Sequence, residues 1–199
     1  MKKVLMIIVL IMCSFTLVAC NEKEEIIEAG PYDEMLYVQM EIENYGTVKL
    51  ELYPNAAPRT VNQFIELVNG KFYDGTTFHR IMDGFMIQGG DASAKENFET
   101  AAPYLTGEFS KNGFENPIKM KRGVIAMARS EDYDSARSQF FILLEDTPQI
   151  NGNYASFGKV VEGMDVIDKV NKETKKEDKN GTVLKENQPV IKRMVLLDE

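Results

Sequence analysis

The sequence predicts a mainly β fold: a closed antiparallel barrel of eight strands, with two α-helices covering its open ends. Eight short runs rich in β-branched, aromatic and other apolar residues recur between residues 35 and 197. Two segments change to a helical period, and they lie far apart in the chain, which favours an antiparallel barrel. The 44% hydrophobic content of the 199 residues is enough for one domain with a real core.

The first two runs predict a β-hairpin. Residues 35–42 and 47–53 are rich in strand formers and alternate in part between apolar and polar side chains. The connection ENYG places Asn44 and Gly46 where a tight turn needs residues that tolerate positive φ.

Two segments predict helices. Between Pro58 and Gly70 the apolar residues follow the i, i+3, i+4, i+7 rule, and they are Val61, Phe64, Ile65 and Val68. Proline near a helix start and glycine past its end fit such a helix of about three turns. A second, shorter helix is predicted near 164–170, where Met164, Ile167 and Val170 share a face.

The remaining runs predict six more strands, which are 76–81, 85–88, 124–128, 139–144, 157–161 and 190–197. The charge-rich stretch 171–182 between the second helix and the last strand predicts a solvated loop.

Composition excludes several functional classes. The net charge of −8, with no basic stripe, argues against a nucleic-acid binder. One histidine, His79, and two cysteines, Cys13 and Cys20, exclude most zinc sites. No G-x-S-x-G elbow is present to support a serine hydrolase.

The N-terminus predicts an export signal. Lys2 and Lys3 precede an apolar run that ends in LVAC, and the polar NEKEE follows at once. LVAC resembles a bacterial lipobox, in which the cysteine, here Cys20, is lipidated and becomes the first mature residue. An uncleaved membrane anchor or an ordinary signal peptide is the alternative, although the run is short for a span of roughly 20 residues.

We therefore divide the chain into a signal peptide (1–19), a lipidated Cys20 with an acidic tether (20–34), and one domain (35–199). Cleavage removes two lysines and no acid, which changes the net charge from −8 to −10. It also removes Cys13, so no disulfide is expected.

Three local features have plain structural interpretations. The acidic stretch 130–138 lacks calcium-loop spacing and is expected to be a solvated loop. Gly89 and Gly90 are expected to allow a bulge or a close backbone approach. His79 should point away from Arg80, its strand neighbour, and serve a structural role.

Arg80 is harder to explain as an ordinary strand residue. Phe85, Met86 and Gln88 follow it within one short stretch, FHRIMDGFMIQGGD, on the way to the double glycine. The pattern favours a binding surface that is apolar and carries a single fixed cation.

FHRIMDGFMIQGGD, GVIAMARS, SQFFILL and NYASFGKV closely resemble blocks of the cyclophilin family of peptidyl-prolyl cis-trans isomerases. The resemblance runs from about residue 35 to residue 197. It implies a cyclophilin-like barrel and isomerisation of X-Pro bonds in proline-containing proteins. We also expect a monomer, and because rotation makes and breaks no bond we expect no metal and no cofactor.

The matching positions imply the site residues. Arg80, Gln88 and Phe85 correspond to the family's catalytic group, with Arg80 as its catalytic arginine. The substrate-binding positions are Met86 and Phe141 around proline, the Ala128–Arg129 backbone, Gln139 as a polar contact, Ile150 in place of the usual leucine, and Tyr154. Arg129 stands where an asparagine is common, and Tyr154 where histidine often occurs. The chain has no tryptophan, and Gln149 replaces one that packs on cyclosporin, so the resemblance implies weak binding of that drug.

Together these features predict a lipid-anchored isomerase on the outer face of a cell membrane, in a Gram-positive bacterium, that assists the folding of secreted proteins. One alternative is a proline-peptide-binding or chaperone module of the same fold with little turnover. Another is a lipoprotein that carries a small ligand in an internal cavity.

Overall fold

A computed structural model describes residues 34–198 of the protein. The predicted signal peptide, the lipidation at Cys20 and the tether up to residue 33 lie outside the described residues. Within residues 34–198, no helix is both long and apolar enough to cross a membrane.

One eight-stranded antiparallel sheet forms the centre of the domain, as the eight runs predicted. Its strands are β1 (Leu36–Ile42), β2 (Gly46–Leu52), β3 (Phe78–Met82), β4 (Met86–Gly89), β5 (Val124–Met127), β6 (Phe140–Leu143), β7 (Ser156–Glu162) and β8 (Ile191–Leu197). Their spatial order is β3-β4-β6-β5-β7-β2-β1-β8. Every predicted strand is present, and no strand end differs from its predicted position by more than two residues.

The predicted hairpin forms β1 and β2, and its turn residue Asn44 has a φ of +65°. Asparagine tolerates this left-handed conformation better than most residues, which explains why it stands here.

The predicted closed barrel is not confirmed: the sheet curls into a half-barrel with β3 and β8 at its two edges. The segments that precede these edge strands meet at a single bridge between Thr77 and Val190. Ile191 N–H donates to Thr76 O at 2.8 Å beside that bridge. In the described part of the chain no continuous ladder of backbone hydrogen bonds joins the two edges. The barrel is therefore not closed, although its two edges are linked locally beside this bridge.

The first predicted helix is α1 (Pro58–Asn69), with Gly70 following its last residue as expected. Its first turn has no side-chain cap from Ala57. The buried carboxylate of Glu108, 48 residues further along the chain, instead accepts hydrogen bonds from Arg59 N–H at 3.0 Å and Thr60 N–H at 2.8 Å. The Glu108 carboxylate therefore satisfies N–H donors that have no partner inside the helix, and a negative charge is favourable at a helix N-terminus.

Two other α-helices are present in residues 34–198. The short α2 (Phe98–Ala101) was not predicted, because four residues show no helical period. The second predicted helix is α3 (Met164–Glu173), three residues longer than expected, with Ile167 and Val170 buried. α1 contacts β8, and α3 contacts β2.

The central strands are buried on both faces and separate two apolar clusters. The main core holds Ile87, Phe140 and Ile142 with most of the buried residues of the domain. The second cluster, which we call the pocket cluster, holds Met86, Met120, Val124, Ala126, Phe141 and Leu143. Register explains the division, since Met86 pairs with Leu143 and Ile87 with Ile142, so neighbouring residues alternate between the two faces.

Phe140 lies at the centre of an aromatic group in the main core. Its ring meets those of Phe64, Tyr73 and Phe78 at 5.6 to 6.2 Å in edge-to-face contacts. A Cβ on Gly90 would lie 2.6 Å from the Phe140 ring, and a Cβ on Gly89 would lie 2.7 Å from the backbone oxygen of Thr77, which is the close backbone approach expected of the double glycine. Burial raises the pKa of the Tyr73 phenol, whose O–H donates to Ser138 O at 2.9 Å.

Candidate active site

A β-bulge in β3 sets the direction of Arg80. Phe78 pairs with Gly89 and Arg80 with Gln88, so His79 is an extra residue opposite a single step of β4. Phe78 and Ile81 are both fully buried in the main core, although three positions separate them. Strict alternation would place Arg80 on the same face as Phe78. The bulge instead lets Arg80 leave the core face and join Gln88.

A hydrogen-bonded series of side chains begins at Arg80. Its Nη1 donates to Gln88 Oε1 at 3.3 Å, and Gln88 Nε2 donates to Gln139 Oε1 at 3.0 Å. Arg80 Nη2 lies 3.0 Å from Sδ of Met82. A guanidinium has five N–H donors, so these contacts orient the group and leave donors for a bound molecule.

Beside Arg80 lies a cavity of about 170 Å³, which we call the Arg80 pocket. Eight predicted site residues line it: Arg80, Phe85, Met86, Gln88, Ala128, Arg129, Phe141 and Tyr154. The structure therefore brings together side chains from separate parts of the chain, including the GFM and QFF blocks. The pocket combines an apolar wall from the pocket cluster with the guanidinium of Arg80.

Two predicted residues lie next to the Arg80 pocket without lining it. Ile150 packs against the pocket cluster. Gln139 holds Gln88 and faces an adjoining cavity of about 370 Å³, which shares the Ala128–Arg129 wall. The hydrogen bond from Ala128 N–H to Gln139 O, at 2.8 Å, continues the β5–β6 pairing up to that wall.

The Arg129 side chain has a role that the sequence did not reveal. Its guanidinium lies 5.1, 4.7 and 4.9 Å from the ring centroids of Phe109, Tyr133 and Tyr154. Its Nε and Nη2 both donate to Asn153 O, at 3.2 and 2.9 Å. Tyr154 in turn meets the Phe141 ring edge-on at 5.2 Å. Arg129 therefore joins the acidic loop to the wall of the Arg80 pocket.

Replacing Arg129 by alanine should loosen the acidic loop without unfolding the domain. Cation–π contacts at partly exposed sites contribute about 0.5–1 kcal/mol each, and their loss should raise amide hydrogen exchange across residues 130–135 by roughly tenfold. Mass spectrometry of deuterium uptake measures the change. Arg193→Ala, which removes an exposed ion pair with Glu41, is the matched control. Unchanged uptake in the loop would contradict the role given to Arg129.

The structure adds a contact that the sequence did not predict. Arg80 Nε donates to the carbonyl of Asn180 at 2.9 Å, although 100 residues separate them. The stretch 171–182 was predicted to be a solvated loop, and most of it is exposed. Asn-Gly at 180–181 is typical of a turn, but nothing in the sequence indicates what such a turn would contact.

The acidic loop is exposed as expected, whereas the bulge in β3 interrupts the alternation from which the direction of His79 was predicted. His79 Nδ1 is buried without a partner, and burial lowers the pKa of the imidazole, so the ring is neutral at pH 7. In the loop, Asp134 Oδ1 accepts from Gly107 N–H and Asn112 Nδ2, while residues 130–134 stay exposed. Residues 34–198 contain no group of three or more acidic, cysteine or histidine side chains that could hold a metal ion.

Comparisons with known proteins agree with this geometry. The family model described as "Cyclophilin type peptidyl-prolyl cis-trans isomerase/CLD" matches residues 37–195. A "Probable peptidyl-prolyl cis-trans isomerase" of Brucella suis biovar 1 (strain 1330) is 42% identical over 164 residues, which are 77% of this chain and 79% of the relative. "Peptidyl-prolyl cis-trans isomerase B" of Bacillus subtilis (strain 168) is 39% identical over 145 residues, or 73% of this chain and 92% of the relative.

Solved structures give the same result. A crystal structure of a cyclophilin type peptidyl-prolyl cis-trans isomerase from Cryptosporidium parvum has a TM-score of 0.69 and 27% identity. The match covers 83% of this chain and 99% of that one. The same protein was crystallised in the presence of the dipeptide Ala-Pro, and that structure matches with a TM-score of 0.68 and 28% identity.

Proposed function

This chain belongs to the cyclophilin-type peptidyl-prolyl cis-trans isomerase family and is an isomerase of that type. From this premise we propose that it catalyses rotation about X-Pro bonds at the Arg80 pocket. We further propose that its substrates are extracytoplasmic client proteins, whose folding it assists. The observation that carries the proposal is the position of Arg80: a guanidinium held by Gln88 at the edge of a cavity with apolar walls.

The chemistry requires a twisted amide to be favoured over a planar one. An X-Pro bond rotates slowly because amide resonance creates a barrier of ~18–20 kcal/mol. As the bond twists, the proline nitrogen loses conjugation and its lone pair becomes able to accept a hydrogen bond. Arg80 donates to that nitrogen most strongly in the twisted state, which is the condition for catalysis. Arginine suits this role because its planar guanidinium stays protonated.

Arg80 alone does not account for the activity expected. An acceleration of about 10⁵ needs roughly 7 kcal/mol, and a hydrogen bond from a charged group contributes about 1.5–3 kcal/mol. The remainder comes from holding the substrate still and from excluding water. Phe85, Met86 and Phe141 hold the proline ring in the Arg80 pocket, with Ile150 and Tyr154 at its rim.

One flank of the substrate is held against the backbone of Ala128 and Arg129. This strip borders both cavities, so a peptide with its proline in the Arg80 pocket passes directly beside it. The Arg129 side chain is turned toward three aromatic rings, which is consistent with a contact made by its backbone rather than by its guanidinium. Gln139 acts through its hydrogen bond to Gln88.

The proposed place of action is the outer face of a cell membrane, and the LVAC motif supports it. Lipid on Cys20, together with residues 21–34 as a tether, would hold the domain where secreted chains emerge. Apart from residue 34, both parts lie outside the described residues, and the LVAC motif is the ground for the Gram-positive assignment. We further propose that the domain acts as a monomer.

Cys20→Ala should move the protein from the membrane fraction to the soluble fraction or stop its maturation. The lipid is the proposed anchor, and the variant removes the sulfur that carries it. Membrane fractionation and the intact mass of the mature protein measure the effect. Cys13→Ala is the matched control, because that residue leaves with the signal peptide and should change nothing. Equal membrane binding by Cys20→Ala would refute the lipid anchor.

Turnover separates an isomerase from a module that only binds. The full-length protein should accelerate cis-trans exchange of an Ala-Pro peptide, and it should also speed the refolding of a protein limited by proline isomerisation. Peptide binding without acceleration in either assay would favour a holding role over a catalytic one.

Cyclosporin is expected to bind weakly. Gln149, where a tryptophan would pack on the drug, is an exposed residue of the 3-10 turn Pro148–Ile150. An amide side chain covers less apolar area than an indole and packs less well on the drug. Inhibition of the isomerase assay across a range of cyclosporin concentrations tests this expectation.

A further inference from the structure

Arg80 is held from two sides, and the isomerase mechanism above uses only one of them. Gln88 contacts its Nη1 on the side of the Arg80 pocket. Its Nε donates to the carbonyl of Asn180 at 2.9 Å, which is shorter than the 3.3 Å bond to Gln88. The Nε–H lies next to the flexible side-chain stem, so a bond there restricts the rotation of the whole guanidinium plane.

We propose that the turn formed by residues 178–182, here called the Asp178 turn, positions the guanidinium of Arg80. In this proposal the Asp178 carboxylate is the group that holds the turn in its conformation. This inference rests on the isomerase function proposed for Arg80 and adds to it a residue that does not touch the substrate.

The Asp178 carboxylate closes the turn from within. Its Oδ1 accepts from Asn180 N–H at 2.9 Å and from Thr182 N–H at 3.1 Å, and its Oδ2 accepts from the Thr182 hydroxyl at 2.9 Å. The Thr182 backbone bond is the main reason why the pKa of Asp178 is lowered. These bonds fix the peptide unit whose carbonyl Arg80 contacts.

The turn is also joined to the strand that carries Arg80. Ile81 N–H donates to Gly181 O at 2.7 Å, and Val183 N–H donates to His79 O at 3.1 Å. These bonds lie on either side of Arg80 and cover the exposed edge of β3. The turn therefore adds a short pairing segment at the edge of the half-barrel.

Gly181 makes the close approach possible. Its φ is +79°, and a Cβ there would lie 2.1 Å from Ile81 O. Any other residue would push the turn away from β3. A further link comes from Lys176, whose Nζ is 2.8 Å from Asp83 Oδ1 in the β3–β4 connection. The segment between α3 and β8 therefore contacts the β3–β4 hairpin at three residues, which are His79, Ile81 and Asp83.

Asp178→Ala tests the proposal in the full-length protein, with Asp178→Asn as the conservative variant. Loss of one well-placed hydrogen bond to a charged group should lower kcat by roughly tenfold, while KM for an Ala-Pro peptide changes by less than about twofold. The amide side chain introduced by D178N keeps an oxygen acceptor for the two backbone N–H groups, so this variant should retain most of the wild-type kcat. Glu186→Ala, an exposed carboxylate of the same segment, should behave as wild type.

Two readouts distinguish positioning from general destabilisation. In the ¹⁵N spectrum, the Arg80 Nε–H signal should exchange slowly with water in the wild type and in D178N, and quickly in D178A. In an Arg80→Ala background, Asp178→Ala should cause no further loss of the residual activity, because its effect passes through Arg80. Melting temperatures of all variants should agree within about 2 °C.

Either of two results would overturn the proposal: unchanged kcat and Nε–H exchange in D178A, or an equal loss of activity in the Arg80→Ala background. Failure of the isomerase function is a separate result, since it appears as no turnover in the wild type. The Nε–H signal reports the hydrogen bond whether or not the protein turns over peptides.

Discussion

Arg80→Ala is expected to lower kcat/KM for an Ala-Pro peptide by roughly 10- to 150-fold, which corresponds to the loss of a charge-assisted hydrogen bond of about 1.5–3 kcal/mol. The loss should fall mainly on kcat, because the bond to the proline nitrogen forms fully only when the amide is twisted. Binding of the peptide depends on the apolar wall of the pocket and should change little.

The melting temperature provides the first control, and it should stay close to that of the wild type because Arg80 lies on the face opposite the main core. Arg193→Ala provides the second, since it removes an arginine with the same charge from an exposed position on β8. If Arg80→Ala retained wild-type turnover, the assignment of the catalytic cation would be wrong.

Phe140→Ala is expected to reduce the free energy of unfolding by about 3–5 kcal/mol, which is a large share of the stability of a domain of this size. Phe140 is fully buried and contacts three other rings, so alanine would leave a cavity that the close-packed strands cannot fill. Chemical denaturation monitored by circular dichroism measures the change.

Phe141→Ala is the matched variant one position along β6. Its ring borders the Arg80 pocket, so part of the space left by alanine joins an existing cavity and the loss of stability should be smaller. Its KM for an Ala-Pro peptide should rise by roughly tenfold as the wall around proline is lost. If the two variants had the same effects on stability and on KM, the division of β6 between two clusters would be refuted.

Much of the fold was predictable because local patterns determine it. The apolar residues of α1 and the proline and glycine at its ends marked that helix to within a residue or two. Asn44 and Gly46 marked the first turn in the same way. Closure of the barrel was not predictable, because it depends on whether two strands distant in sequence form a ladder, and no periodicity within either strand carries that information.

The residues of the site were predictable from the blocks that resemble a known family, and the structure places eight of them around one pocket. Their support was not predictable. Asn180 contacts Arg80 through its backbone carbonyl. Because every residue has a backbone carbonyl, the residue type at position 180 does not reveal this contact. Arg129 was expected to act through its backbone, but the three rings around its guanidinium come from separate parts of the chain.

The capping of α1 by Glu108 shows the same limit. A capping residue is normally sought directly before a helix, and Ala57 gave no sign of one. The carboxylate that satisfies the first turn comes from a distant loop, so a pattern that considers only neighbours in sequence could not find it.

The bulge at His79 has a consequence for how this segment tolerates genetic change. The side chain at position 79 contributes little to the site, so many substitutions there should preserve the direction of Arg80. Deleting the codon for His79 should preserve that direction as well, because Phe78, the arginine and Ile81 would then alternate strictly between the two faces of the sheet. For this enzyme, the direction of the arginine depends on its place directly before the buried Ile81, and neither the identity nor the presence of residue 79 should change it.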